Sequence, residues 1–444
     1  MGLGEAQKGL GPLSFAFVMF SMASCLPLFF LGPIAYSSGL SLEQALVAAL
    51  LGNAIVAVAM ALNGHAGIAR RIDFPAQARE IFGTLGAKIV VVLRGLVGAL
   101  WFGVEAYNGA LALIMIALLA LGASSSGLLE KATPLIPLAL ILYLGLMLLV
   151  LKRGMKEGVG KAATIAGPLL LLYFAWLAWW LHTSGYTASA TVEGVAWTSA
   201  AFLVYLAIQT NWWATVAVNI SDLTRMARDW GSVWIGVFLG MVGGQLLGTY
   251  LGYELAAITG KALPQEIIAA YAPGAVAILL GLLFAFLAPW TTDLTANVPA
   301  LMDILMENLR MNWRKAAVAA TILGFILAPW WALDKAQDIV GYVTSFAASY
   351  GVILGPILGP MIAGYWLLGI GRTVHHNPHT PRVDASALGA LALGIAASYA
   401  ASIWMGALEK VALGVVTIPF PTGPTWYIGV AASLIVYIIA KRIH

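Results

Sequence analysis

Charge is nearly absent from most of this chain, and that scarcity limits its possible folds more than any motif does. Of 444 residues only 9% are charged and 61% are hydrophobic. The apolar residues gather into runs long enough to cross a hydrocarbon core of about 30 Å at about 20 residues each. Inside a bilayer the backbone must satisfy its own hydrogen bonds, so such runs are helical. Twelve transmembrane spans are predicted, near 13–38, 41–64, 86–120, 134–152, 161–182, 195–218, 231–258, 274–303, 315–332, 337–370, 386–406 and 424–441. The fold class is therefore an all-α integral membrane protein, with little chain left for a soluble domain.

Basic residues collect in alternate loops: Arg70, Arg71, Arg79 and Lys88; Lys152, Arg153, Lys156 and Lys161; Arg225 and Arg228; Arg310, Arg314 and Lys315; Arg372 and Arg382. The opposite loops carry only Lys131, Lys261, Lys335 and Lys410. By the positive-inside rule both termini are cytoplasmic, in a multi-pass protein of the plasma (inner) membrane. The net charge of +4 follows from this topology and gives no reason to expect a nucleic-acid partner. No cleavable signal precedes the first span, and Met1-Gly2 lacks the Ser or Thr of a myristoylation motif.

Cys25 is the only cysteine, which excludes disulfides within the chain and cysteine-rich metal sites. His375, His376 and His379 have a spacing that could hold a metal, but with Pro378 and Pro381 nearby and no neighbouring carboxylate they read as a solvated loop. Gly236, Gly240, Gly244, Gly248 and Gly252 recur every fourth residue along span seven, a stripe that lets another helix backbone approach closely. Gly351, Gly355, Pro356, Gly359 and Pro360 in span ten interrupt backbone hydrogen bonding, making either a gating helix or a static kink.

Polar groups inside the spans carry the functional signal. Ala288-Pro289-Trp290-Thr291-Thr292-Asp293-Leu294-Thr295-Ala296-Asn297 sets hydroxyls, a carboxylate and an amide within span eight. Such groups are costly in hydrocarbon unless they face a bundle interior and serve an ion or substrate. In span one, Ser21-Met22-Ala23-Ser24-Cys25-Leu26-Pro27 puts small polar residues before a helix-breaking proline. In span six, Gln209-Thr210-Asn211-Trp212-Trp213 inserts amides and two indoles at comparable depth. Discontinuous helices at matching positions of two halves point to a binding site at the membrane midplane, and these spans lie five apart, as a five-plus-five inverted repeat requires. The alternative is a pair of kinked packing helices whose polar groups bond their own backbone.

A family resemblance rests on several further stretches. They are Leu62-Asn63-Gly64-His65-Ala66-Gly67; Phe74-Pro75, Arg79 and Phe82-Gly83; Arg94 and Trp101-Phe102-Gly103; and Trp213-Ala214-Thr215 with Asn219-Ile220-Ser221-Asp222-Leu223-Thr224-Arg225. With Thr291 to Asn297, Pro329-Trp330 and Gly355-Pro356, this ensemble resembles the nucleobase:cation symporter-1 family of cytosine, uracil, allantoin and hydantoin permeases. The resemblance implies a leucine-transporter-type fold. Residues 1–370 would form a ten-helix core with repeats over about 13–182 and 195–370, and 386–444 two additional helices. Substrate would lie between a bundle of spans one, two, six and seven and a scaffold that includes spans three and eight.

By the same resemblance Trp101 and Trp213 stack on the two faces of a substrate ring, and Asn297 hydrogen-bonds its edge. Thr291 and Thr292 supply the hydroxyls of a sodium site, completed by the Ala288 carbonyl and by carbonyls near Ser21 and Ser24. Trp212, Gln209, Cys25, Glu105 and Asp293 complete the candidate substrate-binding set. The chemistry agrees: offset stacking on indoles adds about 0.5–1.5 kcal/mol per pair beyond area burial, and a hard cation wants oxygen ligands. Against it, membrane tryptophans are commonly interfacial anchors, and threonines in spans commonly bond their own helix.

Three departures from the family bear on the ligand. Glu105, one turn beyond Trp101, stands where glutamine is usual, Asp293 where asparagine is common, and Cys25 where glutamine is common. An ionised carboxylate only accepts hydrogen bonds, whereas an amide also donates. Two carboxylates near one pocket thus favour a donor-rich or cationic ligand such as an aminopyrimidine, an aminopurine or a vitamin precursor. They also admit a proton carrier at Glu105 or Asp293, with H+ replacing or supplementing Na+, and Glu105 could instead pair internally with Arg94 or another cation.

The expected function is cation-coupled symport of a planar N-heterocycle, with sodium as first choice and no oligomer required. A receptor of the same fold that binds without transport is the alternative. Neither an enzyme nor a channel is expected, since the chain carries no metal-binding His pair, Gly-x-Ser-x-Gly elbow, phosphate loop or repeated filter.

Overall fold

The computed structural model describes residues 9–188, 191–372, 381–405, 408–413 and 416–443. His375, His376, Pro378 and His379 lie outside them. Among the described residues ten helices are long and apolar enough to cross a membrane, or eleven if the bent pair Pro12–Ala23 and Leu26–Ser37 counts as one span. The segment expected as span nine is a helix of 15 residues, Trp313–Leu327. A helix that short falls below the usual length for crossing alone.

Span one breaks where its sequence loses a backbone donor. The helix Pro12–Ala23 ends at Ser24, whose N–H still reaches the Phe20 carbonyl at 2.8 Å. Cys25 is extended, and the chain resumes as a tight 3-10 turn over Leu26–Phe30 with Pro27 in its first turn. Proline cannot donate to the preceding turn, and the two halves meet at 63°.

Both halves lie along the glycine stripe of span seven (Trp230–Thr259). A Cβ on Gly240 would come 2.3 Å from the Ala16 carbonyl, one on Gly248 2.1 Å from the Leu28 side chain, and one on Gly252 2.4 Å from the Phe29 carbonyl. The stripe thus packs the broken span against its partner at backbone distance. Lipid gives helices no hydrophobic reason to associate, so such close contact stands in for it.

Span six differs from the expectation. Ala200–Asn219 is one unbroken helix, and Gln209 to Trp213 do not interrupt it. No proline removes a donor here, and the side-chain amides find partners on other helices: Asn211 donates to the Ala347 carbonyl at 3.1 Å and Gln209 to the Thr249 hydroxyl at 3.3 Å. The polar signal reported a hydrogen-bond network and was misread as a break.

Span ten (Asp338–Trp366) is broken, but before its prolines. Residues 348–350 form a turn between Asp338–Ala347 and Gly351–Trp366, while Pro356 and Pro360 lie within the second helix. Its glycines face the last helix, Thr425–Ile443: a Cβ on Gly355 would meet the Trp426 carbonyl at 2.5 Å and one on Gly359 the Ser433 hydroxyl at 2.1 Å.

Gly83, at φ 80°, divides the helix Phe74–Ala120, and a Cβ there would lie 2.7 Å from the Pro381 carbonyl. One element departs from the all-helical reading. Leu408–Leu413 and Val416–Pro421 pair as an antiparallel hairpin between the last two helices, in a stretch whose sequence is rich in β-branched residues.

Candidate functional site

At the bend of span one, a small cavity is lined by Cys25, Trp101, Glu105, Trp212, Trp213, Thr215, Val216, Thr292, Ala296 and Asn297. Four segments converge there: the extended residue of span one, one face of span three, the middle of span six and the π-helical turn Asp293–Asn297 of span eight. The wider turn of a π-bulge commonly marks a functional site.

The indoles are fixed by their own N–H groups. Trp101 donates to the Tyr350 hydroxyl at 3.2 Å and packs edge-on against Trp212, ring centroids 4.8 Å apart. Tyr350 belongs to the break in span ten, so the gap between its two helices reaches the cavity through this bond. Trp213 donates to Gln245 Oε1 at 3.0 Å, and Gln245 donates in turn to Gln209 Oε1 at 2.7 Å. Gln209 is completed by Asn53, Tyr205 and Thr249. It therefore stands behind Trp213 and does not line the cavity. Gln245 was missed by the sequence reading, although an amide in an apolar span is a recognisable sign.

Glu105 is 1% exposed, and its Oε2 accepts no hydrogen bond from any described residue. The Cys25 thiol is beside it. Arg94 does not pair with it: the guanidinium donates to Asn219 Oδ1 at 2.9 Å and to the Ala296 carbonyl at 3.3 Å. Internal pairing with Arg94, one of the expected alternatives, is thereby corrected. The physical reason is that Asn219, tied to Asp222, offers Arg94 an anchored acceptor away from the cavity. An unpartnered polar group at such burial is costly, which makes Glu105 the most demanding group in the pocket.

Asp293 is also fully buried but does not line the cavity. Its carboxylate accepts the Tyr143 hydroxyl at 2.9 Å and Asn297 Nδ2 at 3.0 Å. It touches the pocket only through Asn297. Tyr143, on the helix Ile136–Leu151, gave no sequence signal because an aromatic residue in an apolar span is ordinary.

The two threonines reach across to the bend. Thr291 Oγ1 donates toward the Ser21 carbonyl at 3.1 Å and the Ala288 carbonyl at 3.0 Å; Thr292 Oγ1 toward Met22 at 2.9 Å and Ala288 at 3.1 Å. Two hydroxyls and three carbonyls, all uncharged oxygens, thus gather in one place. That donor set fits a hard monovalent cation, for which oxygen ligands without nitrogen or sulfur are suitable. The carbonyl paired with Thr292 is that of Met22. The Ser24 hydroxyl instead donates to Phe20 at 2.7 Å within its own helix. No group of three or more His, Cys, Asp or Glu side chains gathers as a metal site among the described residues.

Toward the end that carries the basic loops, a chain of polar contacts closes the structure. Asn219 donates to Asp222 Oδ2 at 2.8 Å, and Phe74 N–H donates to Asp222 Oδ1 at 2.8 Å. Arg79 pairs with Glu307 at 2.6 Å and Arg225 with Asp73 at 3.2 Å. Burial pushes the Asp222 carboxyl above its ordinary range, opposed by Arg225. Nearby, Arg228 and Ser232 hold the more exposed Asp229 down to about 2.

The family model for permeases for cytosine/purines, uracil, thiamine and allantoin matches residues 3–418. A purine-uracil permease of Arabidopsis thaliana is 28% identical over 71% of this chain and 55% of its own length, so the match spans little more than half of that protein. An allantoin permease of Bacillus subtilis is 23% identical over 100% of this chain and 92% of its own. Among solved structures, a nucleobase-cation-symport-1 family transporter in a closed conformation with bromovinylhydantoin bound has a TM-score of 0.80 at 22% identity, covering 99% of this chain and 93% of that one. A Na+-coupled sialic acid symporter in an outward-open state has a TM-score of 0.63 at 14% identity, covering 100% and 92%. These two likenesses concern the fold alone and are consistent with the leucine-transporter type.

Proposed function

This chain belongs to the family of permeases for cytosine/purines, uracil, thiamine and allantoin, and within it we propose a sodium-coupled symporter of an amino-substituted planar heterocycle, such as cytosine, a purine or a pyrimidine vitamin precursor. The observation that carries the reading is a buried carboxylate, Glu105, whose Oε2 has no hydrogen-bond partner among the described residues, beside three indoles at one small cavity. Flat rings are held by stacking on Trp101 and Trp213. Glu105 and Asn297 then read the ring edge. A donor on the ligand satisfies the carboxylate oxygen, Oε2, that has no partner among the described residues.

Sodium is preferred over protons because Thr291, Thr292 and the carbonyls of Ser21, Met22 and Ala288 form an uncharged oxygen set. When bound, the cation would draw the two halves of span one toward span eight and so favour the form that holds substrate. Transport then proceeds by alternating access. A bundle of spans one, two, six and seven rocks against the scaffold around the fixed site, within a ten-helix core over residues 1–370 and with two helices appended. Both termini are placed in the cytoplasm by the basic loops.

The test is uptake into proteoliposomes under imposed gradients, with cytosine, adenine, uracil, hydantoin and allantoin as probes in sodium and in potassium. Saturable, counter-exchanging uptake of an amino-bearing probe in sodium alone supports the proposal. Binding without flux would identify a receptor, and uptake driven by pH in potassium would transfer the coupling to protons.

A further inference from the structure

Two of the three indoles and the one amide at the cavity give a nitrogen to a protein acceptor: Trp101 donates to Tyr350, Trp213 to Gln245 and Asn297 to Asp293. Glu105 Oε2, which has no partner among the described residues, and Asn297 Oδ1 remain as acceptors for a ligand edge, and the Thr215 hydroxyl on the same wall can donate or accept.

The orientation of the Asn297 amide is decided outside the cavity. A primary amide presents its oxygen or its nitrogen with nearly the same shape, so its polarity is set by the neighbour that reads it. Here that neighbour is Asp293, one turn back across the π-helical turn. Both oxygens of Asp293 act as acceptors, one toward the Tyr143 hydroxyl and the other toward the amide, so Asn297 meets the carboxylate with its nitrogen. Tyr143 holds the second carboxylate oxygen at 2.9 Å, which aims the first at Asn297, 3.0 Å away. All three side chains are buried.

We propose that Asp293 is a specificity-determining residue that never touches the ligand. By engaging the nitrogen of Asn297 it leaves the amide oxygen to the cavity, and so selects heterocycles whose edge carries an amino group, with two N–H donors on one nitrogen, over imides, which need a donor in return. Tyr143 is the positioning group that keeps the carboxylate aimed. An asparagine at 293 would pair with Asn297 in either orientation, and the cavity could then present nitrogen as well as oxygen. The inference rests on the reading of this cavity as the ligand site.

The test is a panel of dissociation constants for the full-length protein in sodium, with cytosine and adenine as amino probes and uracil and hydantoin as imide probes. Asp293→Asn is expected to move the imide-to-amino affinity ratio toward the imides by about tenfold, the size of one altered edge hydrogen bond. Tyr143→Phe is expected to move the ratio the same way by a smaller factor, and it decides the matter if Asp293→Asn does not fold. A merely structural role would weaken all four probes alike, so an unchanged ratio in the variants that fold overturns the proposal. Trp101→Ala separates the two levels of argument. If it weakens every probe while the ratio is fixed in Asp293→Asn, only the role of Asp293 falls. If it leaves all binding intact, the cavity is not the ligand site and both readings fall.

Discussion

The guanidinium of Arg94 donates to Asn219 at 2.9 Å, and Asn219 donates to Asp222 at 2.8 Å, so one buried cation ties span three to the end of span six. Its Nη2 also donates to the Ala296 carbonyl of span eight. The bond to Asn219 joins span three of the proposed scaffold to span six of the proposed bundle, at the end that carries the basic loops; the bond to Ala296 stays within the scaffold.

Arg94→Gln should therefore loosen that end. Removing one partner of a buried, hydrogen-bonded charge typically costs about 3–5 kcal/mol, here taken chiefly from the closed arrangement. Spin labels at the exposed positions Lys161 and Arg310 should show a longer and broader distance in the variant than in the parent. An unchanged distribution would mean that Arg94 supports the fold without latching it.

A second expectation concerns the cation. Thr292→Ala deletes the hydroxyl that meets the carbonyls of Met22 and Ala288, and should raise the sodium concentration needed for half-maximal substrate binding by about tenfold, or 1.4 kcal/mol. Ser24→Ala should leave sodium dependence nearly unchanged, because that hydroxyl serves the Phe20 carbonyl. Sodium titrations of ligand binding at fixed ionic strength measure both, and equal effects of the two substitutions would refute the oxygen set described above.

These two cases show what the sequence could convey. The break in span one was legible because Pro27 acts on the adjacent turn, a local effect. The threonine pair and most cavity-lining residues were legible because polar groups stand out against hydrocarbon. Span ten misled because its break answers to a distant side chain: Asn211 of span six donates to the Ala347 carbonyl, and a Cβ on Gly351 would come 2.2 Å from Asn211 Oδ1. Gln209 and Asp293 are legible as polar groups in apolar spans, but only the packing tells that Gln209 stands behind the cavity through Gln245 and Trp213, and Asp293 through Asn297. Sequence spacing gives the face of a helix; it does not give the partner.

Tyr350→Phe tests whether the break in span ten bears on the cavity. The substitution keeps the ring against Phe346 and Trp101 but removes the acceptor of the Trp101 N–H. A neutral hydrogen bond contributes about 0.5–1.5 kcal/mol net, so affinity for all planar probes should fall by a few-fold without a change in their order. Competition binding across amino and imide probes measures this. A reordering would mean that Tyr350 reads the ligand edge itself.

Glu105→Gln is the substitution that bears most directly on ligand chemistry. It restores an amide at the position, nearly conserves shape and removes the charge. If the unpartnered Oε2 accepts from an amino or protonated edge, its loss should cost about 1.5–3 kcal/mol, roughly ten- to a hundredfold in affinity for cytosine-like or adenine-like probes. Affinity for uracil or hydantoin should hold or rise, because the new amide can donate to a ring carbonyl. Trp101→Ala, by contrast, should weaken all planar probes alike, since stacking does not read edge chemistry. The decisive measurement pairs ligand competition with uptake across pH. If Glu105→Gln keeps the probe order but abolishes the pH dependence of uptake, the carboxylate carries a proton and the amino-edge assignment is wrong; if the order inverts while pH dependence is untouched, the carboxylate reads the ligand.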